Sequence, residues 1–286
     1  MNPARRAFAF GIPALMCWPA WARSAVADPI ADYERATGGR IGVYAVNVKT
    51  GKSISWRSDE RFIMCSSYKA SLAAFVLARV DRGEERLDAL VHYTAKDTLE
   101  LWGPIAKANL AKGAMTVEAM CKAAVEISDG ACANLLMARS GGPAALTTFL
   151  RSIGDGTTRV DHFEPALDRV PSGGPDDSTT PAAMAATLQK FVLGSVLSDR
   201  SKALLTRWLI GNQTNHRLRA GLPTSWRIGN KTGHSGRDMA GDIAVAWPRP
   251  DTPIVVAVYT RDGKPTERQF DKAFAGIGSL VATTLA

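Results

Sequence analysis

The order of hydrophobic patterns along the chain is strands, helices, strands and a closing helix. It predicts a mixed α/β (α+β) fold, an antiparallel sheet flanked by helices with an all-α domain inserted into it. Three observations carry this. β-rich runs sit near both ends, at residues 41–48 and 53–57 and again at 226–232, 241–247 and 253–260. From about 62 to 211 the periodicity is helical. Residues 70–80 are apolar almost all round, which predicts a helix buried on every side rather than one lying on the surface.

The elements follow in order. A short helix at 30–37 stops at Gly38-Gly39, and Lys49-Thr50-Gly51-Lys52 turns the first hairpin. Residues 116–139 hold two helical stretches broken near Ser128-Asp129-Gly130, followed by helical segments at 141–153, 181–193 and 198–210. Residues 154–180 are rich in Gly, Asp, Pro, Ser and Thr without periodicity, a loop long enough to expect a functional reason for it. An amphipathic helix at 269–285 closes the chain. The expected organisation is a sheet domain from 28–61 and 212–286, with a helical domain, 62–211, that includes the 154–180 loop. A small-molecule cleft is expected where the two meet.

With 46% hydrophobic and 22% charged residues among 286, the composition excludes a disordered chain, a collagen and a disulfide-stapled miniprotein. No apolar run reaches the roughly 18–20 residues of a membrane span. Residues 1–27 read as an export signal: Arg5 and Arg6, a mostly apolar stretch at 7–21, then Ala25-Val26-Ala27 at the cleavage site. The general secretory and twin-arginine routes both fit, and a periplasmic location is expected, with no membrane anchor after cleavage. The 35 basic residues less Arg5, Arg6 and Arg23 leave 32 against 27 acids, a net of +5. These charges are scattered, which argues against nucleic acid as a partner. After Cys17 leaves with the signal, Cys65, Cys121 and Cys132 are an odd set without CxxC spacing. His92, His162, His216 and His234 show no ligand spacing, so no metal and no other cofactor is expected. A monomer is the expected state.

Four segments can carry chemistry. Ser66-Ser67-Tyr68-Lys69 opens the all-apolar helix, and i,i+3 spacing lets the Lys69 amine reach the Ser66 hydroxyl. A lysine partly desolvated there can activate a serine, and the helix N-terminus points N–H groups at a developing oxyanion. Taken singly, the motif also reads as a serine cap followed by a solvated lysine. Ser128-Asp129-Gly130 sits at a helix–helix break. Lys231-Thr232-Gly233 is expected to end a central strand running toward the cleft, whereas the same triplet at 49–51 is explained by its turn. Glu164, in Phe163-Glu164-Pro165-Ala166-Leu167-Asp168, is either a solvated loop acid or a general base for water.

Together, at spacings of 62, 36 and 67 residues, these segments resemble the class A serine β-lactamases, whose known signature set they follow in order. The resemblance spans nearly the whole chain after the signal and implies the two-domain β-lactamase/transpeptidase-like fold. It implies Ser66 as the nucleophile that opens the β-lactam ring, Lys69 as its partner, Ser128 as proton relay to the lactam nitrogen, and Glu164 as the base that activates the deacylating water. Whether Lys69 or Glu164 takes the proton of Ser66 stays open. Backbone N–H groups of Ser66 and His234 would form the oxyanion hole. The implied substrate-contacting set is Lys231, Thr232, Gly233, His234, Ser235, Trp102 at the cleft mouth, and Arg217. Arg217 reads equally as a surface residue.

The sequence also departs from the family. Gly130 stands in place of an asparagine that meets the substrate's acylamide and braces the lysine. Asp168 replaces an asparagine beside the hydrolytic water, and two nearby carboxylates should raise the pKa of at least one. His162 replaces the arginine that ties the loop neck to an acid, here Asp177, so the neck should loosen above about pH 7, where ordinary histidine is neutral. Cys65 lacks its usual disulfide partner because Ser235 stands there, which weakens a carbapenemase reading. Two other functions share these motifs: a penicillin-binding D-alanyl-D-alanine peptidase, and a β-lactam sensor that stays acylated.

Overall fold

The computed structural model describes residues 20–213 and 216–286, so Arg5, Arg6 and Cys17 lie outside the described residues. The chain runs α1 Ala20–Thr37, β1 Arg40–Asn47, β2 Ser53–Trp56, β3 Phe62–Ile63, α2 Tyr68–Asp81, β4 Leu90–His92, α3 Pro104–Ala108, β5 Ala114–Thr116, α4 Val117–Glu126, α5 Gly130–Arg139 and α6 Gly142–Ser152. It continues with β6 Ser178–Thr179, α7 Pro181–Val192, α8 Asp199–Ile210, α9 Leu218–Gly221, β7 Arg227–His234, β8 Ala240–Trp247, β9 Ile254–Arg261 and α10 Glu267–Leu285.

The five long strands form one antiparallel sheet in the order β2-β1-β9-β8-β7, so the first and last strands do pair. Strands β8 and β9 are buried on both faces, which explains their unbroken apolar sequence. Alternation still sorts their side chains. Ile254, Val256 and Val258 join a core with Phe270 and Phe274 of α10, whereas Val255, Ala257 and Tyr259 join the core beneath the helical segment. That second core surrounds α2, where every residue from Tyr68 to Ala78 is buried, while Arg79 and Val80, the end of the stretch expected to be buried, are partly exposed.

Helix boundaries are set by side-chain caps. Thr116, Asp129, Thr180, Ser198 and Thr266 each accept a first-turn N–H, starting α4, α5, α7, α8 and α10. The first helix departs from expectation: it begins at Ala20 rather than at 30 and runs without a break through position 27. The ribbons β3–β6 and β4–β5 were not anticipated, because two or three residues are too few to show a period.

The 154–180 segment is less irregular than its composition suggests. Ala166–Arg169 forms a 3₁₀ turn, and β6 pairs with β3. Its neck is tied by carboxylates. Asp155 accepts from the backbone of Thr157 and Thr158 and from the Thr187 hydroxyl, and Asp177 accepts the N–H groups of Asp161 and His162. Closed ends and internal bonding make it an Ω-loop that presents its tip, near Glu164, to the cleft.

Candidate active site

A cleft of about 590 Å³ lies between the outer strand β7, the start of α2, the α4–α5 break and the Ω-loop. Ser66 lies in the 3₁₀ turn Cys65–Ser67 that leads into α2. The residue before it, Cys65, holds φ 44°, a left-handed conformation that costs energy in a non-glycine residue and aims the turn at the cleft. Gly233 of β7 is what allows the close approach. A β-carbon there would lie 2.6 Å from Met64 O and 2.9 Å from Ser66 N.

Lys69, 1% exposed in its side chain, donates to Ser66 Oγ at 2.8 Å and to Ser128 O at 2.8 Å, and lies 2.9 Å from Glu164 Oε1. Ser66 Oγ in turn donates to Glu164 Oε1 at 3.2 Å. The hydroxyl therefore has an ammonium on its acceptor side and a carboxylate on its donor side, the arrangement a nucleophile needs. Ser128 sits at φ 62°, and its Oγ lies 3.4 Å from Lys69 Nζ and 3.0 Å from Lys231 Nζ. Lys231 is fully buried and also donates to Thr232 O. Burial, then repulsion from Lys69, pushes its pKa well below the usual lysine range.

Strand β7 is the sheet's edge and not the central strand expected from its sequence, and Ser235 N donates to Met239 O across its turn to β8. Antiparallel alternation then turns the His234 N–H away from β8, toward the free edge where Ser66 stands. Thr232 and Gly233 line the same wall. The His234 ring accepts the Gly236 N–H at Nδ1 and lies 3.2 Å from Glu267 Oε1, and burial lowers its pKa.

Arg217 is buried, which excludes the surface reading. It donates to Gly233 O at 2.7 Å and Gly241 O at 3.1 Å, and its guanidinium carbon lies 5.5 Å from the Phe274 ring centre. Ser235 follows His234 in the β7–β8 turn, where its Oγ accepts the backbone N–H groups of Arg237 and Met239. Trp102 stands at the mouth, 68% exposed, steered by its indole N–H to Ile127 O.

The three residues expected to support the loop are where the sequence puts them. Asp168 lines the cleft, and burial followed by the charge of Glu164 pushes its carboxyl up to about 6. His162 Nδ1 meets the fully buried Asp177 Oδ2 at 2.6 Å. That hydrogen bond raises the histidine's pKa, so the neck holds to higher pH than ordinary histidine would allow. Sequence reasoning missed Asn134 of α5. It accepts the Glu164 N–H at 3.0 Å and donates to Glu164 O at 2.7 Å, clamping the loop tip at both backbone groups. A lone amide in the apolar stretch Gly130–Arg139 was the available signal. Asp129, missed as well, ties α3 to the site by accepting from Ile105 N and Ala106 N.

A nucleophile, two ammonium groups and a carboxylate beneath an outward-facing backbone N–H are the parts of a covalent acyl-transfer enzyme. Comparison with known proteins narrows the class. A family model described as the Beta-lactamase enzyme family matches residues 25–285. The protein named carbapenem-hydrolyzing beta-lactamase KPC, from Klebsiella oxytoca, is 43% identical over 257 residues, 89% of this chain and 87% of the relative. Beta-lactamase L2 of Stenotrophomonas maltophilia is 43% identical over 264 residues, 92% of this chain and 86% of the relative. Among solved structures, a class A beta-lactamase representing the last common ancestor of Gram-negative bacteria matches with a TM-score of 0.87 at 47% identity, over 92% of this chain and 100% of that one. A beta lactamase from Xanthomonas campestris matches at 0.88 and 40% identity, over 93% and 99%. The chain belongs to the class A β-lactamase family.

Proposed function

We propose that this enzyme hydrolyses the amide bond of β-lactam antibiotics through a serine acyl-enzyme, releasing a substituted β-amino acid and conferring resistance. Ser66 Oγ attacks the lactam carbonyl while its proton passes to Glu164 Oε1. Lys69, hydrogen-bonded to the hydroxyl and ion-paired with the carboxylate, holds the pair in line and offsets the charge that develops. The carbonyl oxygen becomes an oxyanion between the N–H groups of Ser66 and His234, where losing one donor costs about 3–4 kcal/mol. As the C–N bond breaks, the Ser128 hydroxyl protonates the departing nitrogen and is resupplied by Lys69, which in turn takes the proton held on Glu164, so the carboxylate is ionised again before it meets water. Water activated by Glu164 then attacks the ester, and the proton returns to Ser66 as the acid leaves. Lys231, Thr232 and Arg217 supply charge and hydroxyl for the substrate carboxylate, and Trp102 packs against the substrate at the mouth. Asp168, His162 and Asp177 keep the loop acid in place.

The observation that carries this reading is the Glu164 carboxylate within hydrogen-bonding distance of Ser66 Oγ. A penicillin-binding peptidase or a sensor needs no such acid to finish its work. The test is a burst experiment with a chromogenic cephalosporin. Many equivalents turned over per mole are expected, and one equivalent followed by silence would overturn the proposal. Ser66→Ala should abolish turnover, and Glu164→Ala should trap the covalent adduct, visible by intact mass.

The same reading includes export to the periplasm under the direction of residues 1–27, a monomeric state, and division into a sheet domain (28–61 with 212–286) and a helical domain (62–211). Among the described residues, no helix is long and apolar enough to cross a membrane.

A further inference from the structure

A second cavity, of about 570 Å³, adjoins the active site along the chain: Ile127 lines it, and Ser128 lines the cleft. Most of its lining is apolar, including Ile105 of α3, Met115 of β5, and Ala119 and Ala123 of α4, with Asn109 and Thr116 among the polar exceptions. Lys112 and Lys122 stand among its lining, against a single acid, Glu126, 4.0 Å from Lys122. The volume is that of a small-molecule site, and nothing in the reaction uses it.

We propose that this cavity binds a small amphiphilic anion, with a medium-length alkyl chain between α3 and α4 and a carboxylate at Lys112 and Lys122. Occupancy is felt in the active site. The charge of the lining selects the ligand: Lys112 donates to the neutral Asn109 Oδ1 and Lys122 faces Glu126 only at 4.0 Å, so the pair leaves a net positive charge that a carboxylate neutralises and a cation does not. The coupling runs through short, directed contacts. Ile105 N and Ala106 N both donate to Asp129 Oδ2, at 2.9 and 3.0 Å, and Ile127 O accepts the Trp102 indole N–H at 3.2 Å. Ile127 and Asp129 flank Ser128, whose strained φ of 62° and whose contacts with Lys69 and Lys231 depend on where those neighbours sit. A ligand that spreads α3 from α4 pulls on both.

Decanoate is the probe, titrated into the whole protein. A 13C-labelled Met115 methyl reads binding whatever the cleft hydrolyses, and cephalosporin turnover reads coupling. A saturable, single-site shift is expected, with kcat reduced about fivefold at saturation and KM little changed. Decanol should bind at least about tenfold more weakly, a difference of roughly 1.4 kcal/mol. Ala119→Phe, which fills the cavity, should abolish the decanoate-induced shift and any further inhibition by decanoate, and should itself lower turnover in the same direction as bound decanoate. Exchanging Lys112 and Lys122 for Glu should weaken decanoate but not decanol. No saturable shift, or inhibition that survives Ala119→Phe, would overturn the site. Saturable binding with kcat unaltered would overturn the coupling.

Discussion

Gly130 does more than delete a substrate contact. A β-carbon at this position would lie 2.3 Å from Glu164 Oε2 and 3.2 Å from Trp102 O, and its own N–H donates to Trp102 O. The carboxylate occupies space that any side chain would claim. Gly130→Ala is therefore expected to lower kcat by about tenfold to a hundredfold, because it displaces a reacting group by a fraction of an ångström to an ångström. Gly130→Asn should do the same despite restoring the family's amide, and a kcat unchanged in the alanine variant would refute the steric argument. Asp168 offers a second test. Its carboxyl, raised to about 6 from 3.8, favours the protonated form in the folded state. Its ionisation therefore weakens folding progressively as pH rises from the unfolded value through the folded one, by a total of about 2–3 kcal/mol. Asp168→Asn should raise Tm at about pH 7.5 and change it little at about pH 4. Thermal melts across that range measure it.

The Ω-loop is held at two points that fail differently. At its tip, Asn134 holds Glu164 by the backbone, so Asn134→Ala should slow hydrolysis and let acyl-enzyme accumulate, while Tm falls by only the few degrees that about 1–3 kcal/mol represents. Acyl-enzyme mass in the steady state is the readout. At its neck, the folded His162 has a pKa raised above 6.5 by Asp177. Its contribution is complete below the unfolded value and is lost as pH rises through the folded one. His162→Arg should remove that loss, so the Tm difference between variant and parent should widen from about pH 6 to about pH 9. Equal pH profiles would refute the idea. Ser66 and Lys69 were legible because i,i+3 spacing on an all-apolar helix is a local fact, and the His162–Asp177 tie because both ends lie in one loop. Asn134 was not, since its partner is the backbone of a residue 30 positions away, and backbone groups leave no mark in a sequence. The turn bonds of Ser235 were not legible either, since they too end on backbone groups, those of Arg237 and Met239.

At the level of the whole molecule, strand content at both chain ends was enough to predict a shared sheet, because β-rich runs separated by a long helical stretch have few other partners. The strand order was not available, since β8 and β9 are apolar on both faces and alternation assigns neither to one side. The helices α9 and α10 pack closely enough that a β-carbon at Gly221 would lie 1.8 Å from Ala275 O. Gly221→Ala should destabilise by about 1–3 kcal/mol, read as a lowered urea midpoint with activity retained in the fraction still folded. The pairing of β1 with β9 also governs how the polypeptide is made. Until residue 261 has emerged from the ribosome, β1 has only β2 beside it, and Val43 and Ala45 have no α10 to cover them. Nascent chains therefore spend most of synthesis with an incomplete sheet, an interval in which chaperones can hold them.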